Sequence, residues 1–132
     1  NWRNDPSVRK MSLNKKKIKL DEHKIWFHKK IKVKGHLWIF SFKNKKCGVV
    51  YLNKKKNLEI GYLLSKNYRN KGLSSIMLNL FVRKFKKYRK NIKIIVARVL
   101  KNNNKSLRAL QSAGFLISSK KEGSYILKKK YD

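Results

Sequence analysis

Acid is what this chain has least of: six Asp and Glu stand against 37 Lys and Arg in 132 residues, a formal net charge of +31. That excludes an acidic or charge-balanced surface. A single cysteine, Cys47, excludes an intrachain disulfide and points to a reducing compartment, the cytoplasm. With only three histidines beside it, a structural zinc site is not expected, and no metal is assigned. No apolar run approaches the roughly 20 residues of a membrane span, and no signal peptide is visible. Proline occurs once, at Pro6, and there is no internal repeat and no long linker. Beginning at Asn1 without Met, the chain is expected to be a fragment or a processed product.

What is present suffices for one core. The residues are 41% hydrophobic and 11% aromatic, so the excess charge does not signal disorder, and the length suits a single domain over 1–132. A charge of +31 raises nucleic acid as a partner. The composition argues against specific recognition: there are 30 Lys but only 7 Arg, and Arg is the better reader of base edges and phosphates. Lys, Asn and Ile, the products of AT-rich codons, make up 54 of the 132 residues. The lysines fall in short clusters (15–17, 54–56, 128–130) rather than in one basic and aromatic stripe. A basic nucleic-acid-binding module remains the alternative of another class. The same field attracts polyanionic small molecules, nucleotide cofactors included.

The chain reads as an α/β sheet. Asp5-Pro6 reads as a turn or a helix start, with a short helix over 7–11. Residues 21–32 form a second, with acid in the first turn and Lys in the last. Strands at 37–42 and 46–52 flank the turn Lys43-Asn44-Lys45, and 58–64 is a third strand. A polar loop, 65–71, leads into a helix over 72–85, whose packing face is assigned to Leu73, Ile76, Met77, Leu80 and Phe81. Residues 92–99 are apolar on both alternating sets, which predicts a central strand covered on both faces and parallel to 58–64. A helix over 103–113, with Leu107 and Leu110 inward and Gly114 as left-handed cap, precedes a last hairpin, 115–119 with 124–129.

The segment Arg69-Asn70-Lys71-Gly72-Leu73-Ser74 lies between a strand and a helix. There, unpaired backbone N–H groups and the positive end of the dipole favour an anion. Gly72 permits close approach, and Arg69 and Lys71 add charge. Neither G-x-x-x-x-G-K-[ST] nor G-x-G-x-x-G is present. By itself, the segment is equally an ordinary basic turn.

The order R-x-x-G-x-S, helix, central strand, then Asn103-Asn104-Lys105-Ser106 with a helix ending in Gly114-Phe115, resembles the two cofactor signatures of the GNAT superfamily of N-acetyltransferases. Glu59-Ile60-Gly61-Tyr62-Leu63-Leu64 is similar to the strand before that family's cofactor loop. Ser74 departs slightly from the usual Gly or Ala. The resemblance covers nearly the whole chain, with the family's first strand mostly missing before Asn1. It implies a mixed, mostly antiparallel sheet flanked by helices, whose central parallel pair splays around acetyl-CoA. The amides of Arg69 to Ser74 would cradle the pyrophosphate, and a backbone N–H near Leu63 or Leu64 would polarise the thioester carbonyl. Asn103 would bind the pantetheine arm or cap its helix, or do both. Ser106, with Lys105 or Arg108, would hold the far end of the cofactor.

Acyl transfer to an amine needs a base for the amine and an acid, or a positive field, for the thiolate. Glu59 alone among the carboxylates lies within an apolar strand beside the expected cleft, and is the candidate base; the alternative is an ion pair with a neighbouring Lys. Leu110 occupies the position at which many family members carry a tyrosine acid. Tyr62, Ser106 or water then supplies the proton, or a bare thiolate leaves into the positive field. His23 is an alternative base, whereas His28 and His36 are expected on the surface.

Trp2-Arg3-Asn4-Asp5 with Val8-Arg9, and Glu22-His23 with Trp26-Phe27, resemble a GNAT subgroup that acetylates a UDP-linked 4-amino-4,6-dideoxy sugar in the pseudaminic acid pathway. Trp2 or Trp26 would stack on uracil or sugar, Arg3 would pair with diphosphate, and Asn4 and His23 would bond hydroxyls. Trp26 and Phe27 are otherwise core residues. The acceptor is then a nucleotide sugar; a protein N-terminus or another small amine is the alternative within the family, for a monomer or homodimer without specific nucleic acid or membrane partners.

Overall fold

The computed structural model describes residues 35–88 and 91–131. The expected helices at 7–11 and 21–32 lie outside the described residues.

β1 (Leu37–Phe42) and β2 (Lys45–Lys54) form the first hairpin. Its turn is Lys43-Asn44, with φ of 51° and 64°, so it is one residue shorter than the sequence suggests and β2 starts at Lys45. Two consecutive left-handed residues make the connection whose twist matches the flanking strands. β3 (Leu58–Leu64) pairs antiparallel with β2. A short 3-10 turn at Lys66–Tyr68 leads to α1 (Leu73–Tyr88), β4 (Ile94–Leu100), α2 (Asn104–Ser112) and a last hairpin of β5 (Leu116–Lys121) and β6 (Ser124–Lys130). The sheet runs β1-β2-β3-β4-β6-β5, and β3 with β4 is its parallel pair.

One face of the sheet carries the core. Ile60 and Leu64 on β3, Ile95, Ala97 and Val99 on β4, and Leu127 on β6 are buried against both helices and Phe115. The buried residues of α1 are Leu73, Met77, Leu78, Phe81 and Phe85. Ile76 and Leu80, assigned to that face from the sequence, are instead exposed. At 100° per residue the row Leu73-Met77-Phe81-Phe85 has its centre far from Ile76 and Leu80, and the largest side chains set which row faces the sheet. Each fully buried Phe or Leu contributes about 1.5–3 kcal/mol. On the other face of β4, Val96 is buried but Arg98 is exposed, so coverage there is partial rather than complete.

His36 is buried, not superficial: its carbonyl accepts from Leu52 N at 2.9 Å, which carries the β1–β2 ladder past the end of β1. β4 starts at Ile94, two residues later than expected, and Tyr131 N donating to Lys93 O at 2.8 Å carries its pairing with β6 one step past the strand ends. At the end of α2, Gly114 (φ 93°) donates to Gln111 O and Phe115 donates to Leu110 O. These two hydrogen bonds make a Schellman motif around the left-handed cap that the sequence indicates at Gly114.

Candidate active site

β3 and β4 meet only through Leu58 opposite Ile95 and Glu59 opposite Val96. Beyond these two pairs, β3 continues to Leu64 against β2, and β4 continues to Leu100 against β6, with no ladder between them. The sheet is therefore parted in its middle, on the side where β3 runs into the loop and β4 runs into α2.

The loop at the mouth of this gap has two left-handed residues, Asn70 (φ 62°) and Gly72 (φ 73°). Alternating backbone handedness turns successive N–H groups to one side, a concavity suited to an anion. A Cβ built on Gly72 meets nothing within 4 Å, so the space in front of the loop is open. Asn70 Oδ1 accepts from Lys105 Nζ on α2, which ties the loop to the other lip of the gap. The Arg69 Nε–H donates to Leu64 O at 2.8 Å, bracing the loop on the end of β3. Lys71 is exposed, Leu73 is buried as the first core residue of α1, and Ser74 is half-buried. Leu64 is buried and Leu63 half-buried.

On α2, Asn103 is the N-cap, its Oδ1 accepting from Ser106 N at 3.3 Å. The cap uses only the carbonyl oxygen of the amide. The Ser106 hydroxyl hydrogen-bonds the hydroxyl of Tyr62. Burial pushes the Tyr62 phenol up from its ordinary value, and the Ser106 bond opposes this in part. Arg108 is exposed on the same helix, and Leu110 is buried in the core.

Glu59 lies where the strands still touch. Its carboxylate is held by Arg98 Nε at 3.1 Å and Lys55 Nζ at 3.4 Å, and its side chain is 13% exposed. Lys55 stands four residues before Glu59, a spacing visible in the sequence. Arg98 was not foreseen, because the strand-helix-strand order implies that β3 and β4 are parallel but not the register that sets Glu59 opposite Val96. Cys47 is buried with its thiol pushed up, which suits packing rather than nucleophilic chemistry. Trp2, Arg3, Asn4, His23 and Trp26, the expected acceptor residues, lie outside the described residues. Among the described residues, no group of three His, Cys, Asp or Glu could hold a metal, and no helix is long and apolar enough to cross a membrane.

The structure thus brings Tyr62, Asn70, Gly72, Asn103, Lys105 and Ser106 to the rim of one gap, with Glu59 at its closed end. A sheet parted between parallel strands, with an anion-cradling loop at the mouth, is the arrangement that the resemblance to the GNAT acetyltransferases implies. The model of the GNAT acetyltransferase domain matches residues 1–116, and the chain belongs to that family. No curated protein matches it. Among solved structures it is similar to the Campylobacter jejuni N-acetyltransferase PseH in complex with acetyl coenzyme A, at 22% identity and a TM-score of 0.70, over 85% of this chain and 79% of that one. It is also similar to yncA from Salmonella typhimurium with its cofactor acetyl-CoA, at 14% identity and 0.75, over 92% and 79%. The ribosomal-protein-alanine N-acetyltransferase from Brucella melitensis is similar at 14% identity and 0.74, over 96% and 89%.

Proposed function

We propose that this protein transfers the acetyl group of acetyl-CoA to a primary amine, and that the amine is the 4-amino group of a UDP-linked amino-deoxy sugar. The observation that carries the donor is the unpaired stretch of β3 and β4 beside the open concavity at Gly72. The N–H groups of residues 69–74 hold the pyrophosphate, Asn103 and Lys105 engage the arm and its far end, and a backbone N–H near Leu63 or Leu64 faces the carbonyl. Bound there, acetyl-CoA supplies a thioester carbon open to attack. Glu59 takes a proton from the incoming ammonium, directly or through water. Tyr62, kept protonated by its burial and oriented by Ser106, provides a proton for the departing sulfur. The work suits the cytoplasm, where Cys47 stays reduced.

The acceptor rests on charge and on the likeness to PseH. A UDP-sugar carries about two negative charges and is drawn to a +31 surface, which repels a polyamine or a lysine-rich protein. A protein N-terminus is the second reading, supported by the likeness to the Brucella enzyme. CoA release measured in parallel with a UDP-4-amino-sugar, spermidine and a basic N-terminal peptide decides between them. Lower ionic strength should help the nucleotide sugar and hinder the cations. Highest efficiency with spermidine or the peptide removes the sugar assignment and leaves acetyl transfer standing.

A further inference from the structure

A second cavity lies on the sheet face turned away from the helical core. Cross-strand pairing puts Arg98 opposite Ile126 and Val96 opposite Lys128, so these four share one face, while Ile95, Ala97 and Leu127 point into the core. The cavity measures about 280 Å³ and is floored by Val96 and Ile126, both buried. Its walls carry five cations: Lys55 and Lys56 before β3, Arg98 on β4, Lys121 on β5 and Lys128 on β6. Glu59 is the one carboxylate among its lining residues, and it holds Lys55 and Arg98. Five positive charges less one negative leave +4 around a space that also offers the hydroxyls of Ser118 and Ser119. No ion pair engages Lys56, Lys121 or Lys128 among the described residues.

Cations gathered over an apolar floor are arranged for a multiply charged anion attached to an apolar or sugar body. The loop at 69–74 is already suited to the donor's phosphates, and it stands beyond Leu64, five residues along β3 from Glu59. At about 3.3 Å per residue this separates the two positions by roughly 17 Å. We propose that this cavity is a phosphate-recognition subsite for the acceptor, with Arg98, Lys121 and Lys128 gripping the phosphoryl groups while the amine-bearing end reaches Glu59. The choice of occupant rests on the acetyltransferase reading. The cavity's preference for a phosphorylated ligand does not.

The test uses inorganic pyrophosphate and UDP as probes, titrated by calorimetry at about 150 mM salt, where diffuse attraction is screened beyond about 8 Å. Both probes are expected to bind with CoA already saturating. The double variant Lys121→Glu/Lys128→Glu should weaken them by at least about tenfold, because charged hydrogen bonds become repulsions. A matched charge change on exposed α1 residues, Lys84→Glu/Lys87→Glu, should leave their affinity within about twofold, and CoA affinity should hold in both. If Lys128→Glu does not fold, the exposed pair Lys56→Glu/Lys121→Glu replaces it. Equal loss in the two double variants would assign the binding to the overall field and overturn the subsite. So would displacement of the probes by CoA, which places them in the 69–74 loop, or no binding at all. Probes that bind at the cavity of a protein that ignores CoA would keep the subsite and remove the acetyltransferase reading.

Discussion

The hydroxyl of Tyr62 on β3 is hydrogen-bonded to the hydroxyl of Ser106 in the first turn of α2, joining two positions 44 residues apart across the gap in the sheet. The pair stands on the rim of the cleft that Leu110, buried and without a titratable group, cannot serve. Because burial pushes the Tyr62 phenol above its ordinary value near 10, it stays protonated throughout the neutral range. Tyr62→Phe is therefore expected to lower kcat by about a hundredfold with KM for acetyl-CoA nearly unchanged, the size of a lost general acid. Ser106→Ala should cost less, since the phenol remains. Wild-type rates should show no alkaline fall attributable to Tyr62 below pH 10. A Tyr62→Phe enzyme that turns over normally would assign the proton to water.

Gly72 and Gly123 form a natural comparison. Both are left-handed, at φ 73° and 76°, and a Cβ on either meets nothing within 4 Å. Alanine at each should cost about 1–2 kcal/mol of stability through backbone strain alone. Only at position 72 should acetyl-CoA affinity also fall, because the open space there is where the pyrophosphate must approach, and Gly72→Val should abolish binding. Thermal unfolding and calorimetry on the two alanine variants separate strain from contact. Equal CoA affinity in both would sink the cradle.

Much of this frame was legible because its signals are local. The 58–64 strand, the Gly114 cap and the parallel pair follow from alternation, from one glycine and from the strand-helix-strand order. Residues of the loop from Arg69 to Ser74 could be named because a glycine, cations and a helix start coincide in six positions. What escaped was what only pairing decides. The row of α1 that faces the sheet was misplaced at Ile76 and Leu80, since an apolar helix offers two stripes and the sheet selects one. Arg98 as partner of Glu59 and Tyr62 as partner of Ser106 depend on which strands meet and where they part. His36 reads as a surface residue in the sequence because one position before a strand looks like loop until the neighbouring strand extends past it.

Glu59 has two roles to separate. Held at 3.1 Å by Arg98 and 3.4 Å by Lys55, it joins β3 to β4 where they still touch. Glu59→Gln should lower turnover by about a hundredfold or more, the size of a lost general base, and leave CoA affinity nearly intact. It should also cost about 1 kcal/mol of stability, a modest figure because both cations are partly in solvent. Arg98→Gln should show a similar stability loss yet keep most of the turnover, because the carboxylate remains. Wild-type turnover by Glu59→Gln at every pH would move the base to His23 or to water.

The end of the described chain supplies a pH dependence of its own. Tyr131 donates its main-chain N–H to Lys93 O at 2.8 Å and its hydroxyl to Val82 O on α1 at 3.2 Å, with Lys129 Nζ 5.6 Å from the ring. Burial pushes its phenol up from 10 to about 12. The folded state therefore favours the neutral phenol, and the unfolded chain ionises first. This contribution is fully present below pH 10 and is lost as pH rises from 10 to about 12. Tyr131→Phe removes the hydroxyl bond and should cost about 1 kcal/mol at pH 7. Denaturant unfolding of both proteins across pH 7 to 12 should show that difference constant up to about pH 10 and then falling through zero to the opposite sign, as the unfolded phenol ionises ahead of the folded one. Subtracting one curve from the other cancels the common effects of lysine, Cys47 and Tyr62 titration. A difference unchanged at pH 12 would mean that the Tyr131 hydroxyl does not hold its proton more tightly in the folded protein.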